Sequence, residues 1–147
     1  MEREFFFFRL GELRLGVPSD LVREVIRSSK LTPLPRAPSF LLGVCGHRGE
    51  VLPVLDLLRF LGKGESRPGP RSRLFVATSG AFVAGVLVDA VAGIERIPPS
   101  EILPAPMGDD AATEHLMGIV QRKGQELVSL INLARLLQVA RQRVVSR

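Results

Sequence analysis

One stretch of the chain, GVCGHRGEVLPVLDL at residues 43–57, carries the strongest local signals for structure. Apolar residues flank a cluster of turn glycines, and this pattern predicts a β-hairpin. We expect its strands at Leu41–Cys45 and Glu50–Leu55, joined by a turn that begins at Gly46 and ends at Gly49. Gly46 and Gly49 are expected to supply the positive φ angles that tight hairpin turns need.

The end of this stretch predicts a capped helix. Asp56 precedes Leu57–Leu61 and Gly62 follows it, and a short acidic side chain before a helix and a glycine after it are typical of the two ends. A later segment repeats the arrangement, because Asn132 precedes Leu133–Leu137. We therefore predict two short helices, one capped by Asp and one by Asn.

Sliding the sequence against itself shows that nearly the whole chain is duplicated. The offset between the two capped helices is 76 residues, and between Gly43-Val44 and Gly118-Ile119 it is 75 residues. An offset of 69 residues aligns Phe6, Gly16, Val17, Asp20 and Leu34 with Phe75, Gly85, Val86, Asp89 and Leu103. Because the matches keep their order and a nearly constant spacing, we interpret them as an internal repeat.

The repeat predicts the domain organisation. We expect one domain at residues 5–138, made of pseudo-repeats at about 5–62 and 74–138. Residues 63–73 are rich in Gly and Pro and are predicted to be a linker, and 139–147 are predicted to be a basic C-terminal tail. Each copy is small for an independent fold, so the two are expected to bury surface against each other.

Each copy is predicted to open with a β-hairpin. The strands are expected at Phe5–Leu10 and Leu13–Val17 in the first copy, and at Leu74–Thr78 and Ala81–Val88 in the second. Short strands at close spacing, separated by turn glycines, are typical of small β-barrels rather than of parallel α/β units.

A short helical or turn-like segment is predicted after the first hairpin. Leu21, Val22, Val25 and Ile26 recur at helical spacing, and Ser19 precedes them as a possible N-cap.

The composition limits the class of protein. A hydrophobic fraction of 46% is ample for a packed core. The lone cysteine, Cys45, fits a reducing compartment. The longest uncharged stretch, Leu74–Val88, is too short to span a bilayer, and the N-terminal residues lack the features of a signal peptide. We therefore expect a soluble cytoplasmic protein.

No combination of residues points to catalysis, a metal or a cofactor. Cys45 and His47 are two positions apart, but His115 is the one other histidine and a structural zinc site needs four ligands. The glycines of residues 43–49 precede a strand pattern rather than a helix, so they do not predict a phosphate-binding loop. We expect no catalytic residue, no metal site and no cofactor.

Nucleic-acid binding by a basic small barrel is an alternative function. The net charge is +5, and Phe5–Phe8 lies between Arg3 and Arg9, which could form a stacking surface with flanking cations. Successive strand residues point to opposite faces, however, so a buried core strand is the favoured interpretation. The arginines are also dispersed along the chain.

Residues 43–57 resemble the signature of CheW-like domains. In that family a Gly-Val-x-Asn-Leu-Arg-Gly segment is followed by apolar residues, a proline and an Asp-Leu pair. The matching residues here are Gly43, Val44, Arg48, Gly49, Pro53, Asp56 and Leu57. Further matches extend over about Phe5 to Leu137. Gly46 and His47 depart from the pattern, because they stand where the family has Asn and Leu.

The resemblance implies a mainly β fold of two SH3-like five-stranded β-barrels packed side by side, with short helices. It also implies a non-catalytic adaptor that couples chemoreceptors to a CheA-type histidine kinase in cytoplasmic receptor arrays. One surface would bind the regulatory domain of the kinase. A groove between the barrels would take the helical tip of a chemoreceptor. The departure at Gly46 and His47 suggests a specialised chemosensory pathway.

The resemblance also places the partner contacts. It assigns them to the turn motif and to the segment before it, which are Arg48, Gly49, Gly43, Val44, Val22, Glu24 and, beside the arginine, His47. Val22, Val25 and Val44 are expected to line the groove.

Overall fold

The computed structural model describes residues 2–28, 30–106, 108, 111–121 and 126–145. The strands in these residues are β1 (Arg3–Leu10), β2 (Leu13–Pro18), β3 (Val22–Arg27), β4 (Leu41–His47), β5 (Glu50–Leu55), β6 (Arg73–Ser79), β7 (Phe82–Val88), β8 (Ala90–Ile97), β9 (Ile102–Leu103), β10 (Leu116–Val120) and β11 (Val128–Ile131). The helices are α1 (Leu57–Phe60), α2 (Ala111–Glu114) and α3 (Leu133–Val145).

The strands form two sheets. The two sequence copies exchange their first hairpins between these sheets. One sheet has six strands in the order β8-β1-β2-β11-β10-β9, and the other has five in the order β3-β6-β7-β5-β4. The β1–β2 hairpin comes from the first sequence copy, but it pairs with strands of the second copy. The β6–β7 hairpin comes from the second copy and pairs with strands of the first copy. Neither sheet therefore corresponds to one copy of the repeat.

The two sheets have matching registers. Phe6 pairs with Val17 in the β1–β2 hairpin, and the residues 69 positions later, Phe75 and Val86, pair in the β6–β7 hairpin. The two ladders also match in the position of their register shifts. The register of β3 against β6 shifts between Val22 and Glu24, and that of β8 against β1 shifts at the corresponding point. The sequence offset is thus preserved in the packing of the strands.

The run Phe5–Phe8 is buried on both faces of β1. Phe6 and Phe8 join the core between the two sheets, where both rings contact Phe75, with centroids 5.2 and 5.1 Å away. Phe5 and Phe7 join a separate core within the six-stranded sheet. Each exposed fraction is 8% or less, which confirms the predicted core strand. These rings have no free face for a nucleic-acid base.

The prediction of a short helical or turn-like segment at residues 21–26 is wrong. A single 3₁₀ turn, Ser19–Leu21, is followed directly by strand β3. The β-branched side chains in this segment favour a strand, and β3 gains a full antiparallel ladder against β6. Ser19 does not cap the turn, because its hydroxyl donates instead to the Glu4 carboxylate at 2.7 Å.

The two capped helices begin at the predicted residues, Leu57 and Leu133. Asp56 accepts hydrogen bonds from the backbone N–H groups of Leu58 and Arg59, and Asn132 accepts one from Arg135. Helix α3 is longer than predicted, because it continues to Val145 with Ala140 fully buried. Residues 139–145, predicted as a basic tail, are therefore helical, and 146–147 lie outside the described residues.

None of the helices in the described ranges has the length and apolar character needed to cross a membrane.

Candidate functional site: the Glu24–Arg48 cluster

The β4–β5 hairpin ends in a tight turn with Arg48 at its tip. His47 and Glu50 form the last pair of the ladder, and the two residues between them have positive φ, +50° at Arg48 and +78° at Gly49. Two positive φ angles are the signature of the type I′ turn that two-residue hairpins favour. The prediction for Gly46 was wrong, because Gly46 lies inside β4 and the second positive φ falls on Arg48.

A positive φ at an arginine is a strained backbone conformation. Type I′ turns usually place Asn, Asp or Gly there, because a larger side chain crowds its own backbone. The Arg48 side chain is 74% exposed, so burial does not compensate for the strain. Strain of this kind is often retained where a side chain serves binding.

The Arg48 guanidinium reaches back to Glu24 on β3. Its Nη2 donates to Glu24 Oε1 at 3.2 Å, and the Glu24 side chain is 30% exposed. Glu24 follows the bulge in β3, which interrupts the ladder next to it. Bulges commonly redirect a side chain in this way. The resemblance had named both residues, and the structure brings them together.

His47 approaches the other oxygen of the same carboxylate. Its Nε2 lies 3.3 Å from Glu24 Oε2, and its side chain is 20% exposed. The contact is not aligned as a hydrogen bond, so the buried Nε2 atom has no hydrogen-bond partner among the described residues. Glu24 thus faces one formal cation and one titratable ring, each on its own oxygen.

The pKa of Glu24 lies below its ordinary value. Burial alone raises that pKa, but the contacts with His47 and Arg48 outweigh it because they favour the ionised carboxylate. Glu24 is therefore ionised at neutral and mildly acidic pH, and its ion pair with Arg48 persists there.

These residues border a shallow cleft of about 360 Å³. Its lining is Arg23, Glu24, His47, Arg48, Glu50, Val51, Leu52, Val76 and Val83. Val51 is 72% exposed, the most exposed large apolar side chain in the part of the chain that the structure describes. Charged groups and an exposed apolar side chain together suit a surface that binds another protein. The sequence analysis did not single out Val51 or Arg23, because Val51 stands at a variable position of the signature and Arg23 lies outside it.

The other predicted contact residues lie around this cluster. Gly49 forms the turn, and Val22 is half-buried against the core between the sheets. Gly43 and Val44 lie further along β4, where the Val44 backbone pairs with Thr32.

The three valines of the predicted groove differ in exposure. Val22 and Val44 are half-buried, whereas Val25 on β3 is 41% exposed.

Cys45 does not share the cluster with His47. Its side chain is buried in the core of the five-stranded sheet, together with Leu52 and Val76. The arrangement is a β scaffold that presents an ion-paired turn and an exposed apolar side chain beside a cleft. The class of protein that the fold and the site define is a docking scaffold.

The chain belongs to the CheW-like family. The family model described as a CheW-like domain matches residues 4–141. The chain is 65% identical over 147 residues to protein FrzA of Myxococcus xanthus, covering 99% of this chain and 92% of that protein. It is 34% identical over 132 residues to chemotaxis protein CheW of Rhizobium meliloti strain 1021, covering 89% and 84%.

The fold is also that of a solved CheW. The crystal structure of the scaffolding protein TtCheW from Thermoanaerobacter tengcongensis superimposes with a TM-score of 0.82 at 29% identity, covering 92% of each chain. The two sheets are therefore two SH3-like β-barrels, which confirms the fold class expected from the sequence, although one sheet has six strands where five were expected.

Proposed function

We propose that this chain is a non-catalytic chemosensory adaptor that couples chemoreceptors to a CheA-type histidine kinase. Its membership of the CheW-like family and its likeness to a scaffolding protein support the proposal. The adaptor would work inside the cell, where receptor tips and kinase meet. No bound group or covalent step is needed for this role, because an adaptor acts through the surfaces that it presents.

The observation that carries the site assignment is the state of Arg48. This residue keeps a strained φ of +50° and an exposed side chain, and its guanidinium contacts the Glu24 carboxylate at 3.2 Å. An exposed arginine at a hairpin tip can make charge-assisted hydrogen bonds to a carboxylate or to a helix C-terminus of a partner. Gly49 shapes the turn, and Val22, Gly43 and Val44 fix the strands behind it.

We further propose that the pathway is a specialised one. Identity is much higher to FrzA than to the chemotaxis CheW of Rhizobium meliloti, at 65% against 34%. Gly46 and His47 also replace the Asn and Leu of the family signature at the tip that would meet a partner. A changed tip is a direct way to change partner choice.

Co-sedimentation tests the proposal. Purified chain is mixed with receptor fragments in membranes or arrays and a CheA-type kinase from the same organism, and recruitment is measured. Arg48→Glu should weaken recruitment at least about fivefold, because a charge-assisted bond contributes on the order of 1–3 kcal/mol. Arg67→Glu is the matched control, since Arg67 is exposed in the linker and the charge change is the same.

Two outcomes oppose the proposal. If wild-type chain shows no recruitment to any receptor–kinase pair, the adaptor function is wrong. If the Arg48 and Arg67 variants are recruited equally well, the turn is not the docking surface.

A further inference from the structure

His47 and Arg48 approach the two oxygens of one carboxylate, that of Glu24. Arg48 holds Glu24 Oε1 at 3.2 Å, and the His47 Nε2 atom lies 3.3 Å from Oε2 without a hydrogen bond. A neutral imidazole at this distance gains little from the carboxylate. A protonated imidazole has an N–H donor on both nitrogens and a full charge, so it would become a second ion-pair partner for Glu24.

The charges around His47 are balanced when it is neutral. From β3 the cleft receives Arg23 and Glu24, and from the hairpin it receives Arg48 and Glu50. Strands β6 and β7 contribute apolar side chains, Val76 and Val83. Two arginines face two glutamates, so a proton on His47 leaves the cleft with one net positive charge.

We propose that His47 is a positioning residue whose charge sets how firmly Glu24 holds Arg48. The cleft then binds an acidic segment of its protein partner more tightly when His47 is protonated. The inference rests on the proposed function, because it concerns the regulation of the same docking surface. With His47 neutral, Glu24 is occupied by Arg48 alone. With His47 charged, Glu24 is shared, and the Arg48 guanidinium is freer to bind a carboxylate of the partner.

The chain is well suited to an isolated test. It contains two histidines, and histidine is the side chain that ordinarily changes charge between about pH 5 and 8. The other one, His115, is 1% exposed and packs on Phe60, which does not line the cleft. A variant that changes His47 keeps His115, so the difference between the two proteins reports on His47.

The first measurement uses the protein without a partner. The Arg48 Nε–H resonance is followed by NMR from pH 8 to pH 5 in the wild type and in His47→Gln. We expect the wild-type resonance to shift with pH and the variant resonance to stay constant. Equal behaviour of the two proteins would overturn the inference. If His47→Gln fails to fold, His47→Leu replaces it, because leucine likewise has no titratable proton.

The second measurement adds the partner. Recruitment to the receptor–kinase assembly is compared at pH 6 and pH 8 at low salt. We expect the wild type to bind about two- to fivefold more tightly at the lower pH, the range of a single exposed charge contact. His47→Gln should show no such difference, and 0.5 M salt should remove it from the wild type.

The outcomes separate the two proposals. If recruitment is strong but its pH dependence is the same in wild type and His47→Gln, the role of His47 is wrong and the adaptor function stands. If the Arg48 resonance responds to pH but no receptor–kinase pair recruits the chain at either pH, the adaptor function is wrong.

Discussion

Gly43 and Thr32 lie so close together that a Cβ atom on residue 43 would be 2.6 Å from the Thr32 carbonyl oxygen. The neighbouring Val44 exchanges two backbone hydrogen bonds with Thr32, of 2.8 and 2.9 Å. The segment at Thr32 therefore covers the outer edge of β4, which is an edge strand of the five-stranded sheet. Covered edges protect a sheet from pairing with other chains.

Gly43→Ala should destabilise the fold by about 1–3 kcal/mol, the usual cost of forcing an extra group into a packed site. The φ of +151° adds to this effect, because L side chains rarely adopt it. Gly46→Ala on the same strand is the control, since its Cβ would meet nothing within 4 Å. Urea unfolding measures both. Equal losses of stability would show that the contact with Thr32 is unimportant.

Arg48→Asn should stabilise the fold while it removes the guanidinium. Asn tolerates the left-handed conformation, so we expect the free energy of unfolding to rise by about 0.5–1 kcal/mol. Arg48→Ala loses the same exposed ion pair with Glu24 but keeps the strain, and should be no more stable than wild type. Thermal unfolding of the three proteins tests this. Asn and Ala variants of equal stability would contradict the strain at Arg48.

The stability of the protein should fall on mild acidification because of His115. Burial lowers the pKa of His115, Arg135 and Arg143 lower it further, and Glu114 opposes them. The Nδ1 atom of this ring is buried and has no hydrogen-bond partner among the residues described. The unfolded chain, in which a histidine has its ordinary pKa near 6.5, therefore binds more protons than the folded chain in mild acid.

It follows that the His115 contribution is present above about pH 6.5 and is progressively lost as the pH falls below that value. Urea unfolding at about pH 7.5 and pH 5.5 should show this loss in the wild type. In His115→Leu the loss should be smaller, because the leucine has no proton to bind. If both proteins lose the same stability, His115 is not its source.

Asp56→Ala should cost about 3 kcal/mol of stability, since a side chain that accepts several hydrogen bonds is lost from a buried site. Asp56 is 0% exposed and accepts hydrogen bonds from Leu58, Arg59 and both the N–H and the hydroxyl of Ser66. It thereby ties the linker to α1. Asn132→Ala is the matched change at the equivalent helix, where Asn132 accepts a cap bond from Arg135, the one such bond among the described residues, and it should cost about 1 kcal/mol. Chemical denaturation of both variants gives the comparison, and a larger loss at Asn132 would refute it.

Local features of this fold could be predicted from the sequence, and long-range ones could not. The hairpins and the cap at Asp56 follow from neighbouring residues. The strand at Val22–Arg27 was missed because its apolar residues also fit helical spacing. The exchange of hairpins could not be predicted from the sequence. The strands of a repeated sequence can pair within one copy or between copies, and the repeat does not distinguish the two.

The site was predictable only through the family resemblance. Glu24 and Arg48 are 24 residues apart, and no local pattern shows that a bulge turns one toward the other. The positive φ at Arg48 was also unforeseen, because the glycines around it are the usual residues for that conformation. The contact of His47 with Glu24 depends on the same bulge.

Cutting the chain in its linker should leave the two halves associated. Residues 1–66 and 67–147 each lack the hairpin that completes their sheet, since β1–β2 pairs with β8 and β11, and β6–β7 with β3 and β5. Co-expressed fragments should copurify in equal amounts with the circular dichroism of the intact chain. Two fragments that fold separately as monomers would contradict the exchange.

Because of the exchanged hairpins, one copy of the repeat made as a free polypeptide could complete its sheet only by recruiting a second copy. The molecule thus resembles a dimer whose two related halves are joined in a single polypeptide. Covalent linkage keeps the halves together at any concentration, so each half is free to diverge. Gly93 in β8 and Glu24 in β3 occupy equivalent positions in their ladders. Glu24 forms an ion pair with Arg48, whereas Gly93 has no side chain to form one.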